Sequence, residues 1–302
     1  MLCSESSPWG LPLSRTRALP DADFAGFLRY AGPPTPEFSL QSSEHCARLR
    51  ELAEQDTHVR TDKPLLKVSE LHVAYGKAEV VHGISLEVRN GEFTVMLGRN
   101  GAGKSTTLHA ISGLIPKKSG RVEFDGRDLT DATPRDIVRA GIVQVLEGHR
   151  VFTTLTVEDN LLIGTYARSP HGDRAKLGRI YDLFPELREK RNDPASRLSG
   201  GQQQILAVAQ GVIGEPRLLI LDEPSAGLAP LVIDRILAVA AELRKSGMAI
   251  LLVEQLVEKA LRHAGYCYLV ETGRVAAAGT PKEIQASDVL HQTYLGGHAA
   301  AG

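Results

Sequence analysis

The sequence has no run of about 18 apolar residues, so nothing in it reads as a membrane-spanning helix. It has no basic excess either. Lys and Arg number 35 against 36 Asp and Glu, a formal charge of −1, which argues against a general nucleic-acid binder. Cysteine is scarce: Cys3, Cys46 and Cys267 show neither paired nor metal-ligand spacing, and a reduced, cytosolic setting is expected. The ten His residues form no HExxH or similar cluster, so no zinc site is assigned. The opening "MLCSESSPWGLPLSRTRALP" lacks the apolar stretch of a secretory signal. What remains is an ordinary globular composition, 42% hydrophobic and 24% charged, over 302 residues. That length suits one large domain or two modest ones.

Residues 1–63 differ from the rest. The first 36 residues hold six of the sixteen prolines, and the segment reads as a partly disordered extension. Within it, "DADFAGFLRY" places Phe24, Phe27 and Leu28 on one helical face, and "HCARLRELAEQD" has rough helical spacing; a docking segment is the alternative. From residue 64 to 297 the pattern is regular. "LLKVSELHVAY", "ISLEVRNGEFTVMLG" and "GRVEFDG" read as strands bounded by Gly, Asn and Asp. "IVQV" follows, then helical periodicity in "TVEDNLLIGTYAR" and "DRAKLGRIYDLFPEL", then a helix at "QQQILAVAQGVI". The strands "RLLILD" and "MAILLVE" flank the helix "LVIDRILAVAAELRKSG", and "CYLVETGRVAAAG" is hairpin-like. Strands alternating with helices predict an α/β core around parallel strands. The helical stretch at about 145–205 reads as an inserted subdomain.

"GRNGAGKST", Gly98 to Thr106, follows the apolar "FTVML" and opens a helix, which is the strand–loop–helix context of a P-loop. Its backbone from Gly98, Arg99, Asn100, Gly101, Ala102 and Gly103 can turn N–H groups onto phosphate oxygens, and the helix after it aims its positive end at them. Lys104 supplies a cation for the outer phosphates, Ser105 a hydroxyl for Mg²⁺, and Thr106 completes the motif. In "RLLILDEPSAGLAP" an apolar strand ends on Asp222 and Glu223. Asp222 is placed to hold Mg²⁺ and Glu223 to act as general base on water. "LSGGQQQ" puts Ser199, Gly200, Gly201 and Gln202 at another helix start, a second anion site. Two such sites in one chain suggest one triphosphate held between two copies.

Taken in order, "GRNGAGKST", Gln144, "LSGGQQQ", "LILDE" and "SAGLAP" resemble the ATP-binding cassette (ABC) ATPases. The resemblance implies a RecA-like P-loop core with an antiparallel β subdomain and an inserted helical subdomain. It implies that Tyr75 stacks on adenine, and that Gln144 contacts Mg²⁺ and the attacking water while sensing a membrane partner. It also implies that Ser199 to Gln202 bind ATP held by the opposite subunit. The apolar run "AILLV" stops on Glu254 and Gln255 side by side. Gln255 falls at the switch position where most of the family carry His; an amide can donate a hydrogen bond there but cannot titrate.

"VEQ", "EGHRVFTTLTVEDNL", "SAGLAP" and the ending "LHQTYLGG" are similar to ATPase subunits of branched-chain amino acid importers. Three positions depart from that pattern. Leu146 stands where Pro is usual, and Gln210 and Gly211 replace an Arg-Ala pair; Gly inside a helix costs up to about 1 kcal/mol relative to Ala. The expected cofactors are ATP and Mg²⁺. The expected partners are a related second ATPase subunit, transmembrane permease subunits and, indirectly, an external solute-binding protein, with no nucleic acid. The chain is expected to sit peripherally on the cytoplasmic side of the cell membrane. Importers of urea or short amides remain open, as does a soluble cassette acting on ribosomes or DNA, although one cassette without coiled-coil arms argues against the latter. An idle regulatory cassette would not be expected to keep Lys104, Asp222 and Glu223.

Overall fold

The computed structural model describes residues 63–148, 150–167, 169 and 172–290. The two amphipathic segments expected before residue 63, and "LHQTYLGG" beyond Leu290, lie outside the described residues. Among the described residues no helix is long and apolar enough to cross a membrane.

The stretch "ISLEVRNGEFTVMLG" is where two sheets part. Its first half ends β2 (Ala78–Val88), which pairs antiparallel with β1 (Leu66–Tyr75). There Ile84, Leu86 and Val88 are buried while Ser85 faces out, the alternation of a sheet covered on one face. After a turn at Gly91 (φ 61) the second half becomes β3 (Phe93–Leu97), buried at every position. A strand buried throughout and apolar at every position but Thr94 belongs inside a parallel sheet covered on both faces. β4 (Ser119–Phe124) and β5 (Arg127–Asp128) complete the first sheet in the order β2-β1-β4-β5.

The central sheet is formed by β3 with β6 (Ile142–Val145), β7 (Leu218–Asp222), β8 (Ala249–Glu254), β9 (Tyr266–Glu271) and β10 (Arg274–Gly279), in the order β10-β9-β3-β8-β7-β6. Only β10 runs antiparallel to its neighbour. Successive residues serve opposite faces. Leu219, Leu221, Ile250 and Leu252 join one core with the helices; Leu218, Ile220, Leu251 and Val253 join another with the antiparallel sheet.

The helices are α1 (Lys104–Ile111), α2 (Pro134–Ala140), α3 (Val157–Ile163), α4 (Leu177–Leu183), α5 (Pro185–Arg188), α6 (Gly200–Ile213), α7 (Pro230–Lys245), α8 (Val257–Leu261) and α9 (Pro281–Ala286). Between β6 and β7 the described residues carry helices and turns, with one isolated bridge, Thr156 to Pro194. "DRAKLGRIYDLFPEL" is not one helix. It breaks at Phe184 because Pro185 cannot donate into the preceding turn and starts α5 instead. This helical stretch packs on the sheet rather than forming a core of its own, since Leu161, Ile180 and Phe184 share a cluster with Leu219 and Leu221.

Gly211 is explained by that packing. A Cβ there would lie 2.8 Å from Val145 Cγ2 on β6, so the glycine's cost in helix propensity accompanies a close approach. Gly211→Ala is therefore expected to lower stability by about 1–3 kcal/mol through overpacking, despite the gain in helix propensity. A denaturant midpoint equal to or above the parent's would show that the strand simply moves aside.

Candidate functional site

Four chain segments converge at the carboxyl ends of the parallel strands, where open α/β sheets bind ligands. Gly98 follows β3, Gln144 lies on β6, Asp222 ends β7 and Glu254 ends β8. Gly98 tolerates no side chain, because a Cβ would fall 2.4 Å from the Val270 carbonyl oxygen. Gly103 caps α1 with φ 97, a left-handed conformation open to glycine. The loop thus delivers Lys104 and Ser105 to the first turn of α1.

Lys104 is 3% exposed. Its Nζ donates to Gly98 O at 2.8 Å and Arg99 O at 3.1 Å, and pairs with Glu223 Oε1 at 3.1 Å. Ser105 Oγ donates to Asp222 Oδ1 at 2.9 Å, and Gln144 Nε2 to Asp222 Oδ2 at 3.3 Å. Glu223 takes a left-handed φ of 43 while its N–H donates to Val253 O at 3.0 Å. Gln255 Nε2 donates to Glu223 Oε2. A cavity of about 500 Å³ opens beside these groups, lined by Asn100, Gly101, Lys104, Ser105, Glu223 and Gln255 among others.

Burial pushes the Asp222 carboxyl above its ordinary range, and Glu223 and Glu147 add to this; the Ser105 hydroxyl and His109 oppose it. The sign follows. With its folded value raised, Asp222 favours the fold at acid pH, and that contribution is lost as pH rises through the raised value. A bound cation would offset the charge. Gln144 Oε1 is buried without a hydrogen-bond partner. An orphaned amide oxygen, a hydroxyl and a carboxylate form the all-oxygen donor set that suits Mg²⁺. The residues present fit that ion.

The structure thus brings together the P-loop, Gln144, Asp222, Glu223 and Gln255, and leaves two expected groups apart. Tyr75 is half exposed at the end of β1 and does not line the cavity, although Val80 on the adjoining strand does. Ser199, Gly200, Gly201 and Gln202 also stand outside its lining. Ser199 caps α6: its Oγ accepts from Gln202 N at 3.3 Å, and Gln202 Oε1 accepts from Ser199 N at 3.1 Å. Ser199 and Gly200 face solvent, so this end is open to a second molecule. Gly201 is small because α7 passes close by; its Cβ would meet Val232 Cγ2 at 2.9 Å.

Sequence reasoning missed three neighbours of the site. His109 Nε2 lies 3.7 Å from Asp222 Oδ2, and its i, i+4 spacing from Ser105 on α1 was an available signal. Glu147 lines the cavity, and Ser225 bonds to Glu254; each opens a motif quoted above, "EGHRVFTTLTVEDNL" and "SAGLAP", but neither was given a place at the site.

Residues 81–226 match the family model described as ABC transporter. The chain is 37% identical over 233 residues to the high-affinity branched-chain amino acid transport ATP-binding protein BraG of Pseudomonas aeruginosa, covering 77% of this chain and 100% of that protein. It is 31% identical to the lipopolysaccharide export system ATP-binding protein LptB of Escherichia coli K12, over 76% of this chain and 97% of that one. Among solved structures it is similar to the ADP conformation of MJ1267, an ATP-binding cassette of an ABC transporter. That match has a TM-score of 0.70 at 25% identity and covers 78% of this chain and 100% of the other. With these full-length relatives and the ends of the parallel strands arranged around a P-loop, the chain belongs to the ABC transporter ATP-binding proteins and is an ATP-hydrolysing transport ATPase.

Proposed function

We propose that this protein is the ATP-hydrolysing subunit of an importer for branched-chain amino acids, working peripherally at the cytoplasmic face of the membrane. The observation that carries this reading is the end-to-end match to BraG, supported by the Gln at position 255. Its partners in this reading are a related second cassette, separate permease subunits and, through them, an external solute-binding protein. Residues 1–63 are an extension outside the nucleotide-binding domain of residues 64–297.

In this mechanism the P-loop backbone and Lys104 bind the ATP phosphates, Lys104 exchanging Glu223 for phosphate oxygen. Tyr75 stacks on the adenine. Ser105, Asp222 and Gln144 are the residues that would hold Mg²⁺, which neutralises phosphate charge when bound. Glu223 takes a proton from water as its oxygen bonds to the γ-phosphorus and the bond to the bridging oxygen breaks, giving ADP and phosphate. Gln255 fixes the Glu223 carboxylate by donating to it. Ser199, Gly200, Gly201 and Gln202 close over ATP bound by the partner, and closure drives the permease.

The test is uptake of labelled leucine by cells lacking the gene and complemented with the intact protein or with Lys104→Ala. Restoration by the intact protein alone is expected. Unchanged leucine uptake in the deletion strain, with redundant systems excluded, would overturn the branched-chain reading in favour of urea, a short amide or lipid export. The ATPase chemistry would stand.

A further inference from the structure

Glu254 is a buried carboxylate at the end of β8, 2% exposed, to which neither the sequence nor the mechanism above gives a task. Its surroundings are specific. Oε1 accepts from Ser225 N at 3.2 Å; Oε2 accepts from Ser225 Oγ at 2.7 Å and from Gln255 N at 3.1 Å. Ser225 belongs to the turn after β7 that carries Glu223, and Gln255 begins the turn after β8. One carboxylate therefore joins the two loops, reaching back from position 254 to Ser225, 29 residues earlier in sequence.

A closed ring results. Glu223 accepts from the Gln255 side chain, the Gln255 backbone donates to Glu254, Glu254 accepts from Ser225, and Ser225 is two residues from Glu223. Burial pushes the Glu254 carboxyl up, while the donors from Ser225, Gln255 and Leu256 oppose it. A buried carboxylate is costly unless such donors compensate it, so exchanging it for an amide unmakes specific bonds rather than general packing. An amide offers one acceptor oxygen where the carboxylate offers two, and its NH₂ would face the donors on Ser225 or Gln255.

We infer that Glu254 is a positioning residue for hydrolysis, a clasp that holds the Glu223 and Gln255 loops in mutual register. This rests on the proposed role of Glu223 and goes beyond it, since Glu254 itself touches no substrate.

The experiment uses the full-length chain and reads two quantities: steady-state ATP turnover and amide hydrogen exchange. Glu254→Gln is expected to lower kcat by roughly 10- to 100-fold, the scale of an ångström-level misplacement, with KM changed much less. Exchange should rise at residues 225–228 and 255–257 together. In a Gln255→Ala background the same substitution should cost far less, because the ring is already open. Ser225→Ala, which removes a single donor, gives the test a second variant should Glu254→Gln fail to fold; Ser225→Thr should restore turnover.

Three results would overturn the clasp: unaltered kcat in the folded variants, exchange that rises at one loop alone, or an undiminished loss in the Gln255→Ala background. Glu223→Gln is the control. If it turns over normally, the general-base reading fails, while the coupled exchange of the two loops is still decided by the Glu254 and Ser225 variants.

Discussion

Glu223→Gln is expected to slow ATP hydrolysis by roughly 10²–10⁴, the usual worth of a general base, without loss of ATP binding. The amide keeps the shape and can still accept from Gln255 Nε2, but it takes no proton. Binding should be unimpaired or tighter for a reason visible in the geometry of the site. Glu223 Oε1 pairs with Lys104 Nζ at 3.1 Å, so the carboxylate competes with phosphate for the same ammonium. Phosphate release by the assembled complex and equilibrium titration with ATP measure the two effects separately. Near-normal turnover would remove Glu223 from the role of base.

Lys104→Ala should show the converse. The ammonium is 3% exposed and bonded to Gly98 O, Arg99 O and Glu223. In the mechanism it exchanges the last of these for phosphate. A charged hydrogen bond contributes about 1.5–3 kcal/mol, which corresponds to roughly a 10- to 150-fold loss of ATP affinity. The variant also leaves the Glu223 carboxylate facing the phosphates without a cation, which pushes toward the upper figure. Affinity equal to the parent's would mean that the loop backbone and the end of α1 hold the phosphates unaided. Together the two variants separate binding from chemistry: one loses affinity, the other turnover.

How far the sequence could be read follows from what kind of interaction places each residue. Lys104, Ser105, Asp222 and Glu223 were legible because backbone geometry fixes them: a Gly-rich loop opening a helix, and an apolar strand ending in acid residues. The parallel core was legible in "FTVML" and "LLILD", whose largely apolar runs match strands buried at every position. The division of "ISLEVRNGEFTVMLG" between two sheets was less so, since the turn at Gly91 could have closed a simple hairpin. Ser225 and Glu147 stand at the start of "SAGLAP" and "EGHRVFTTLTVEDNL", yet their contacts with the site were not legible, because they reach it through loops whose paths depend on long-range packing. Gly211 was readable only as a helix breaker; its reason, Val145 on a neighbouring strand, is tertiary.

The helix that begins at Ser199 has a mechanical consequence. Its far end is pinned where Gly211 backs onto Val145, the residue after Gln144, and where Gly164 abuts the Gln210 carbonyl, a Cβ there falling 2.1 Å from that oxygen. Twelve residues separate Gly211 from Ser199, a lever arm of about 18 Å at about 1.5 Å per residue. A tilt of about 10° at the pinned end swings the tip through about 3 Å, roughly the length of one hydrogen bond. The fulcrum lies beside Gln144, so a small displacement of that strand end is magnified at the exposed serine. Two glycines, each where a methyl group would jam, keep the bearing close enough for the lever to turn without slack.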